Sequence, residues 1–213
     1  MTQSHYFNPD PNLRHQIRII NYSIEEHDFN FETDNGVFSK EQVDYGTHVL
    51  LKAILKDQDF LANMLEIEAL DFGCGYGVVS IVLQKLFLGN NVFEKQNWTG
   101  IDINSRAIDL ARNNAKRSGV SVVYEEADGI PNDYKLFDLI VLNPPIRTGK
   151  SIYYKMFQQA AIHLNKEGVF YIVIQKKQGA KSAKTYLETL FDHVRVIDKT
   201  GGYHTIRCQY SKL

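Results

Sequence analysis

The stretch IEALDFGCGYGVVSIVLQKLF, residues 67–87, decides the fold. Residues 67–72 are mostly apolar and predict a short buried β-strand, and residues 78–87 predict an apolar α-helix. The junction between them contains one acid and three alternating glycines: Asp71, Gly73, Gly75 and Gly77. Glycines let a ligand approach the backbone, and the start of the helix offers N–H groups without helical partners. The stretch predicts a nucleotide-like cofactor over the turn; the alternative is that the glycines only permit a tight turn.

Strands and helices alternate along the rest of the chain, which predicts a parallel sheet with helices on both faces. Residues 105–119 read as a helix with Ser105 as the N-cap and Gly119 as the stop signal. The final two strands are separated only by TGGY, residues 200–203, too short for a crossover helix, so we expect an antiparallel C-terminal strand. The fold class is thus a doubly wound, mainly parallel, seven-stranded α/β sheet with strands at residues 67–72, 98–102, 120–127, 137–143, 168–175, 193–199 and 204–212.

An N-terminal extension precedes this alternation. Apolar and polar residues alternate twice within residues 16–33, around a polar turn, which predicts a β-hairpin. Residues 47–57 have helical spacing of apolar positions. The chain has 213 residues, enough for one large α/β domain. We expect a single domain over residues 1–213, with an extension at 1–44 and a cofactor-binding catalytic core at 45–213.

Composition narrows the function class. Apolar residues make up 44% and charged residues 23% of the chain, as in soluble globular proteins. The formal net charge of -1 excludes a protein that is basic over its whole surface but allows a local basic patch. The N-terminus lacks the pattern of a signal peptide and no apolar run could span a bilayer, so we expect a cytoplasmic protein without membrane contact. Cys74 and Cys208 belong to no metal-ligand pattern, and we expect structural thiols and no metal.

The class of cofactor can be argued from the glycine spacing. A dinucleotide fingerprint starting at Gly73 needs a third glycine at position 78, which is Val78. The acid ahead of the glycines, Asp71, would oppose a pyrophosphate but could order the loop or hold the amino group of a zwitterionic ligand. This favours S-adenosylmethionine. Asp102 and Asp128 end the next two strands at the same edge, where a ribose and an adenine amino group would lie; each alone is more typical of a turn or cap.

The sequence Asn143-Pro144-Pro145 follows the strand at residues 137–143. Prolines remove N–H donors, so the Asn143 side-chain oxygen and the Pro144 carbonyl are left as acceptors for an exocyclic amine. Such an amine is a poor nucleophile because its lone pair is delocalised, and acceptors for its N–H groups favour the change towards tetrahedral nitrogen. The motif predicts amine methylation; alone, it also fits an ordinary turn that ends a strand.

Four motifs in order, DFGCGYG (71–77), GIDIN (100–104), ADG (127–129) and NPPIRTGK (143–150), resemble class I S-adenosylmethionine-dependent methyltransferases. More narrowly, the sequence is similar to the methyltransferase small domain group, which includes bacterial small-subunit ribosomal RNA guanine-N2 methyltransferases. The resemblance implies Asn143, Pro144 and Pro145 as the catalytic set. It also implies a cofactor-binding set of Asp71, Phe72, Gly73, Cys74, Gly75, Gly77, Asp102, Ile103, Asp128, Gly129 and Asn143.

The resulting hypothesis is methylation of guanine N2 in small-subunit ribosomal RNA, as naked RNA or as the particle, by a monomer or homodimer. The alternatives are methylation of adenine N6 or of a protein glutamine amide, and a non-catalytic module that binds the cofactor or RNA. Many enzymes of this kind carry an aromatic residue after the second proline to stack on the base, and here it is Ile146. Phe38 and Tyr45 could cover the cofactor or base, although core packing is favoured. Cations near the site predict RNA phosphate contacts; they are Arg147, Lys150, Lys176, Lys177 and Lys181.

Overall fold

The computed structural model describes residues 13–61 and 65–211. The strands within these residues are β1 Arg18–Ile24, β2 His27–Thr33, β3 Glu66–Phe72, β4 Lys95–Asp102, β5 Val122–Glu126, β6 Phe137–Leu142, β7 Leu164–Gln175, β8 His193–Thr200 and β9 Tyr203–Gln209. The α-helices of the same residues are α1 Tyr45–Leu55, α2 Gln58–Leu61, α3 Val78–Gly89, α4 Ser105–Ser118, α5 Lys150–His163 and α6 Ala180–Leu187. Two 3₁₀ turns, Ile146–Thr148 and Lys176–Gln178, follow β6 and β7. The expected residues 1–12 of the extension and Lys212 of the last strand lie outside the described residues.

Seven strands form one sheet in the order β5-β4-β3-β6-β7-β9-β8. β3 pairs in parallel with β4 and β6, β4 pairs in parallel with β5, and β6 with β7. Only β9 runs against its neighbours, β7 and β8. The predicted fold class is therefore confirmed, including the antiparallel C-terminal strand. Because the parallel strands end at one edge, the loops after β3, β4, β5, β6 and β7 are brought together there.

Alternate side chains of the central strands supply two cores. On β6, Leu139 and Val141 face a core shared with α1, α3, α4 and the hairpin, whereas Ile140 and Leu142 face a core shared with α5 and α6. This two-sided burial explains why the strand reads as a continuous apolar run. Within residues 13–61 and 65–211, no helix is long and apolar enough to cross a membrane.

The cap of α4 differs from the prediction. Its N-cap is Asn104, not Ser105, because the Asn104 side-chain oxygen accepts the N–H groups of Arg106 and Ala107. The Asn104 amide also donates to the Gly36 carbonyl at 2.8 Å, so the cap doubles as a tie to the N-terminal segment. Gly119 ends the helix at a φ of 67°, as predicted.

Strands β1 and β2 form the predicted hairpin as a separate two-stranded sheet. Its apolar face belongs to the first core, but Ile17 and Ile19 are exposed, because the buried positions of β1 fall on the opposite side of the strand, at Ile20, Tyr22 and Ile24. Asn114 of α4 exchanges hydrogen bonds with the Glu32 backbone and donates to the Tyr76 carbonyl. The hairpin is thus fixed to α4 and to the glycine loop at the same time.

Asp34, just after β2, anchors the start of the described chain. Its fully buried carboxylate accepts hydrogen bonds from the backbone of Gln16 and Asn35, from His15 and, at 3.1 Å, from Arg106 of α4. Burial raises the pKa of Asp34, but these hydrogen bonds and the charge of Arg106 outweigh it and hold the pKa below its ordinary value. The ionised carboxylate therefore stabilises the fold.

Replacing Asp34 with alanine should lower the free energy of unfolding by about 2–4 kcal/mol, because it leaves the largely buried Arg106 guanidinium without its carboxylate. The ionised Asp34 carboxylate stabilises the fold fully above its pKa in the unfolded chain, which is about 4. This stabilisation is lost as the pH falls through the lower pKa of Asp34 in the folded chain. Urea unfolding at several pH values would measure it. Asp109→Ala, which removes the exposed partner of Arg112, is the control and should cost about 0–1 kcal/mol. If Asp34→Ala and Asp109→Ala lower the free energy of unfolding equally at pH 7, Asp34 does not anchor the start of the described chain.

Candidate active site

The glycine loop lies between β3 and α3, at the carboxyl edge of the sheet. The N–H groups of Gly73 and Cys74 both donate to the Ile101 carbonyl of β4, at 2.8 and 3.0 Å. Gly77 has a φ of 90°, and a Cβ there would lie 2.7 Å from the Tyr124 hydroxyl oxygen, so a side chain is excluded. Gly75 has a φ of 54°, and a Cβ there would meet nothing within 4 Å. The loop therefore presents open backbone at Gly75 to an approaching ligand.

Asp71 is buried at the base of this loop. One carboxylate oxygen accepts the Ser80 N–H at 2.9 Å and the Ser80 hydroxyl at 2.8 Å, and Ser80 Oγ lies 2.9 Å from the Tyr124 hydroxyl. Burial raises the pKa of Asp71 to about 7; the bonds from Ser80 offset part of the rise and the charge of Asp102 adds to it. A cation placed beside Asp71 would favour the ionised form.

Asp102, at the end of β4, holds the loop from the other side. Its two oxygens accept the N–H groups of Gly75, at 2.8 Å, and Asn104, at 2.9 Å. Burial raises the pKa of Asp102, although its hydrogen bonds to the backbone favour the ionised form. The structure thus shows Asp102 ordering the glycine loop, a role that the sequence analysis gave to Asp71 as one option.

The other predicted cofactor residues lie along the same edge. Asp128 and Gly129 follow β5 and Ile103 follows β4, its neighbour in the sheet; Asp128 and Ile103 are exposed. Phe72 is buried in the second core. Phe72, Ile103, Asp128 and Gly129 remain predictions as ligand contacts.

Asn143, directly after β6, is held by the beginning of α1. Its Nδ2 donates to Asp44 Oδ2 at 3.0 Å and to Thr47 Oγ1 at 2.9 Å. Asp44 is the N-cap of α1 and also accepts the Thr47 N–H. The reverse amide orientation would turn the Asn143 oxygen against the Asp44 carboxylate, so the charge of Asp44 fixes the amide. Both amide hydrogens are used, and Oδ1 is left as an acceptor.

The sequence analysis missed Asp44 and Thr47 as site residues. The signal that was available is the capping pattern DYGT, residues 44–47, in which an acid precedes a helix by one position. That pattern predicts a helix start but not its contact with Asn143.

The two prolines shape the loop after Asn143. The Pro144 carbonyl accepts the Ile146 N–H at 2.8 Å, and the Pro145 carbonyl accepts both the N–H and the hydroxyl of Thr148. The Pro144 oxygen, expected to face the target amine, therefore already has one donor and retains one lone pair. Asn143 Oδ1 accepts no hydrogen bond from residues 13–61 or 65–211 and can receive one from a ligand.

A pocket joins these parts. It is lined by Asp71, Gly73, Cys74, Gly75 and Asn143 of the predicted site, together with Phe38, Ser39, Val43, Asp44, Thr47, Tyr76, Val78 and Val79. The preference for core packing was wrong for two aromatics: Phe38 is 39% and Tyr45 is 49% exposed, because both lie on the segment that rims the pocket. Within the described ranges, no three metal-ligating side chains gather.

The five predicted cations are exposed at the same edge. Arg147 and Lys150 follow β6, and Lys176, Lys177 and Lys181 follow β7, its neighbour in the sheet. Among the residues with described positions, none of the five forms an ion pair with a carboxylate. Their charges are available to an anionic partner.

Comparison with known proteins indicates a methyltransferase. The family model described as "Methyltransferase small domain" matches residues 28–207. The uncharacterized protein YbxB of Bacillus subtilis (strain 168) is 36% identical over 208 residues, which cover 96% of this chain and 98% of that protein. Ribosomal RNA small subunit methyltransferase C of Idiomarina loihiensis is 30% identical over 188 residues, 86% of this chain but 51% of that protein. The chain thus spans about half the length of this second relative.

Among solved structures, the 16S rRNA N2 G1207 methyltransferase (RsmC) of T. thermophilus, in complex with AdoMet and guanosine, matches with a TM-score of 0.78. The match covers 94% of this chain and 52% of that chain, at 20% sequence identity. At this identity, the likeness establishes the shared fold alone.

The raised pKa of Asp71 gives a test of the site that needs no ligand. The unfolded chain ionises Asp71 near about pH 4, whereas the folded chain ionises it near pH 7, so folding stability is lost as the pH rises between these values. Asp71→Asn cannot ionise, and between pH 4 and pH 8 it should gain about 2–4 kcal/mol relative to the wild type in urea unfolding.

Ser80→Ala provides the matched contrast for that experiment. It removes the hydroxyl that donates to Asp71, so the folded-state pKa of Asp71 should rise further and the loss of folding stability should continue to a higher pH than in the wild type. A free-energy difference between Asp71→Asn and wild type that is the same at every pH would contradict the raised pKa.

Proposed function

This chain belongs to the methyltransferase small domain family, within the class I S-adenosylmethionine-dependent methyltransferases, and we propose that it methylates the exocyclic N2 amine of a guanine in small-subunit ribosomal RNA. The observation that carries the proposal is the orientation of Asn143, whose amide is fixed by Asp44 and Thr47 with its oxygen uncommitted beside the pocket. An acceptor held in this way is what an amine with two N–H groups requires.

The pocket fits S-adenosylmethionine by its chemistry. Asp71 is a buried carboxyl whose pKa is raised by burial and by the charge of Asp102, and it lines the pocket. A cation beside it would favour its ionised form. The ammonium group of the cofactor would supply that cation. Gly75 leaves open backbone where a Cβ would otherwise stand, so a ligand can lie against the loop. When bound, S-adenosylmethionine supplies an electrophilic methyl group, and Asp71, Gly73 and Gly75 would hold the cofactor.

The chain's contribution to the chemistry is acceptor placement. As the amine nitrogen is methylated it becomes positively charged and its N–H groups become stronger donors, so a hydrogen bond to Asn143 Oδ1 strengthens in the transition state. The second lone pair of the Pro144 carbonyl can accept the other N–H. No strong general base is required, because the methylated ammonium is acidic and loses its proton to water. The remaining acceleration comes from holding amine and methyl donor in line.

The choice of ribosomal RNA rests on the relatives and on charge. The relative from Idiomarina loihiensis is named for small-subunit ribosomal RNA, and the ordered motifs of this chain resemble guanine-N2 enzymes. The five exposed cations beside β6 and β7 would meet phosphates. About half of the longer relative lies outside its match to this chain, so any RNA contacts supplied by that half would here come from elsewhere, for instance from a second protomer. A cytoplasmic location is part of the same proposal.

Methyl transfer to four substrates in parallel tests the proposal. S-adenosylmethionine with a labelled methyl group would be incubated with small-subunit particles, naked ribosomal RNA, DNA and a protein release factor. We expect label in the particles, in the naked RNA, or in both. Label only in DNA or only in the factor would favour the adenine or glutamine reaction and overturn the choice of RNA; no label in any substrate would favour a non-catalytic module.

Asn143→Ala should lower kcat by about 10²–10³-fold, because it removes the acceptor that acts mainly in the transition state. Cofactor affinity, measured by calorimetry, should change less than about threefold, as expected for a contact made with the amine. Asn97→Ala, an exposed asparagine on β4, is the control and should leave both values unchanged. Full activity of Asn143→Ala would refute the mechanism.

Thr47→Val removes one of the two acceptors that orient Asn143 while keeping the shape of the side chain. We expect kcat to fall about tenfold with KM for S-adenosylmethionine unchanged, because the amide is less firmly held. Thr47→Ser restores the hydroxyl and should restore kcat. If Thr47→Ser loses stability as Thr47→Val does and does not recover kcat, Thr47 has a structural role only.

A further inference from the structure

We propose that Tyr45 and Tyr203 form the stacking surface for the target base, and that Lys176 and Lys177 contact the phosphates beside it. This inference rests on the proposed function and names how that site would hold its substrate. We refer to the two tyrosines as the tyrosine pair.

The residue after the second proline does not offer a stacking surface. Ile146 begins the 3₁₀ turn after β6, is aliphatic, and is partly buried against the second core. A base held by Asn143 therefore needs an aromatic surface from another element. The rim of the pocket on the α1 side is where the structure supplies one.

Tyr45 is adjacent in sequence to Asp44, the carboxylate that orients Asn143. Its ring is 49% exposed, lies 5.8 Å from the Tyr203 ring at an angle of 67°, and rests on His48 at 6.1 Å and 23°. Burial raises the pKa of Tyr203, and the charges of Asp44 and Tyr45 add to the rise. The tyrosine pair therefore stands next to the Asn143 anchor.

Two glycines permit this arrangement. A Cβ on Gly46 would lie 2.9 Å from Tyr203 Cε1 and 2.9 Å from Asp44 Oδ2, and a Cβ on Gly201 would collide with the Tyr45 ring. The tyrosine pair is thus packed directly on the backbones of α1 and the β8–β9 turn. Rings fixed in this way lose little freedom when a flat ligand stacks on them.

Cations surround the β8–β9 turn that carries Tyr203. The Lys176 N–H donates to the Gly202 carbonyl at 2.8 Å, so the turn Lys176–Gln178 lies against this hairpin. Lys199 is exposed at the end of β8, and burial together with the charges of Lys199 and Lys176 lowers the pKa of His204. No carboxylate of residues 13–61 or 65–211 pairs with Lys176, Lys177 or Lys199.

Aromatic rings interleaved with unpaired cations match single-stranded RNA. A splayed base offers a π-face to the rings while its neighbouring phosphates meet the lysines. A glutamine side chain offers neither a flat π-face nor an anion. The ligand of the tyrosine pair is therefore an unpaired nucleotide of RNA. Methylation of a protein amide in place of RNA would overturn this inference.

Kinetics on small-subunit particles or RNA test the tyrosine pair. Tyr45→Ala and Tyr203→Ala should each raise KM for RNA about 5- to 100-fold, with cofactor affinity nearly unchanged. Tyr45→Phe and Tyr203→Phe keep the ring and should stay within about twofold of wild type. Tyr210→Ala, just beyond the opposite end of β9, is the matched control. If the alanine variants keep the wild-type KM, the inference fails while the proposed function stands.

A second readout does not depend on methyl transfer. A single-stranded RNA oligonucleotide containing 2-aminopurine should lose fluorescence when it binds, because the base stacks on an aromatic ring. This quenching should be lost in Tyr45→Ala and Tyr203→Ala and kept in the phenylalanine variants. Absence of quenching with the wild type, or quenching that survives both alanine variants, would overturn the stacking surface even if methyl transfer to RNA is observed.

The lysines are tested by the salt dependence of RNA affinity. Lys176→Ala and Lys177→Ala should each reduce the slope of log K against log salt by about 0.7–0.9, the value for one lost phosphate contact. Lys166→Ala changes the same charge at the other end of β7 and should leave the slope unchanged. If Lys166→Ala and Lys176→Ala reduce the slope of log K against log salt equally, the slope reports the net charge of the protein and not a phosphate contact at Lys176.

Discussion

The two hydrogen bonds from the Asn143 amide determine the geometry of the site. They join Asn143 at the end of β6 to Asp44 and Thr47, residues 99 and 96 positions earlier in the chain. The segment that carries Asp44 is itself fixed, because the Tyr76 hydroxyl donates to the Ser39 carbonyl and Asn104 donates to the Gly36 carbonyl. The Thr33 hydroxyl at the end of β2 donates to the Lys40 carbonyl at 2.6 Å, so the N-terminal hairpin also helps to hold the segment that carries Asp44.

The glycine loop adds an electrostatic constraint. Asp71 is buried and Asp102 partly buried beside it, and removal of each carboxyl from water raises its pKa. Their hydrogen bonds with Ser80 and with the Gly75 N–H offset part of the cost of ionisation. Perturbed carboxyls of this kind cluster at functional sites, because a ligand of opposite charge recovers the free energy lost on burial. A cationic cofactor over the loop and a neutral amine at Asn143 are consistent with this distribution of charge.

The strands and helices of the sheet could be predicted from the sequence. The spacing of apolar residues differs between strands and helices and indicates which faces are buried, as in β3 and α3. The sequence also placed Asp71, Asp102 and Asn143 at strand ends, since parallel strands finish at one edge. It could not find the contact of Asn143 with α1, which depends on tertiary packing. The sequence also could not distinguish buried aromatic residues from exposed ones at the pocket rim, such as Tyr45. The two groups contain the same residue types and differ only in their exposure in the folded chain.

The central claim is that the acceptor at Asn143 serves a guanine amine of ribosomal RNA. The most direct measurement is nucleoside analysis of small-subunit RNA after incubation with the protein and S-adenosylmethionine carrying a deuterated methyl group, with mass spectrometry and chromatographic standards for each methylated nucleoside. We expect the deuterated methyl group to appear as N2-methylguanosine. Its appearance as N6-methyladenosine, or as a ring-nitrogen or ribose methylation, would show that Asn143 does not serve a guanine N2 amine.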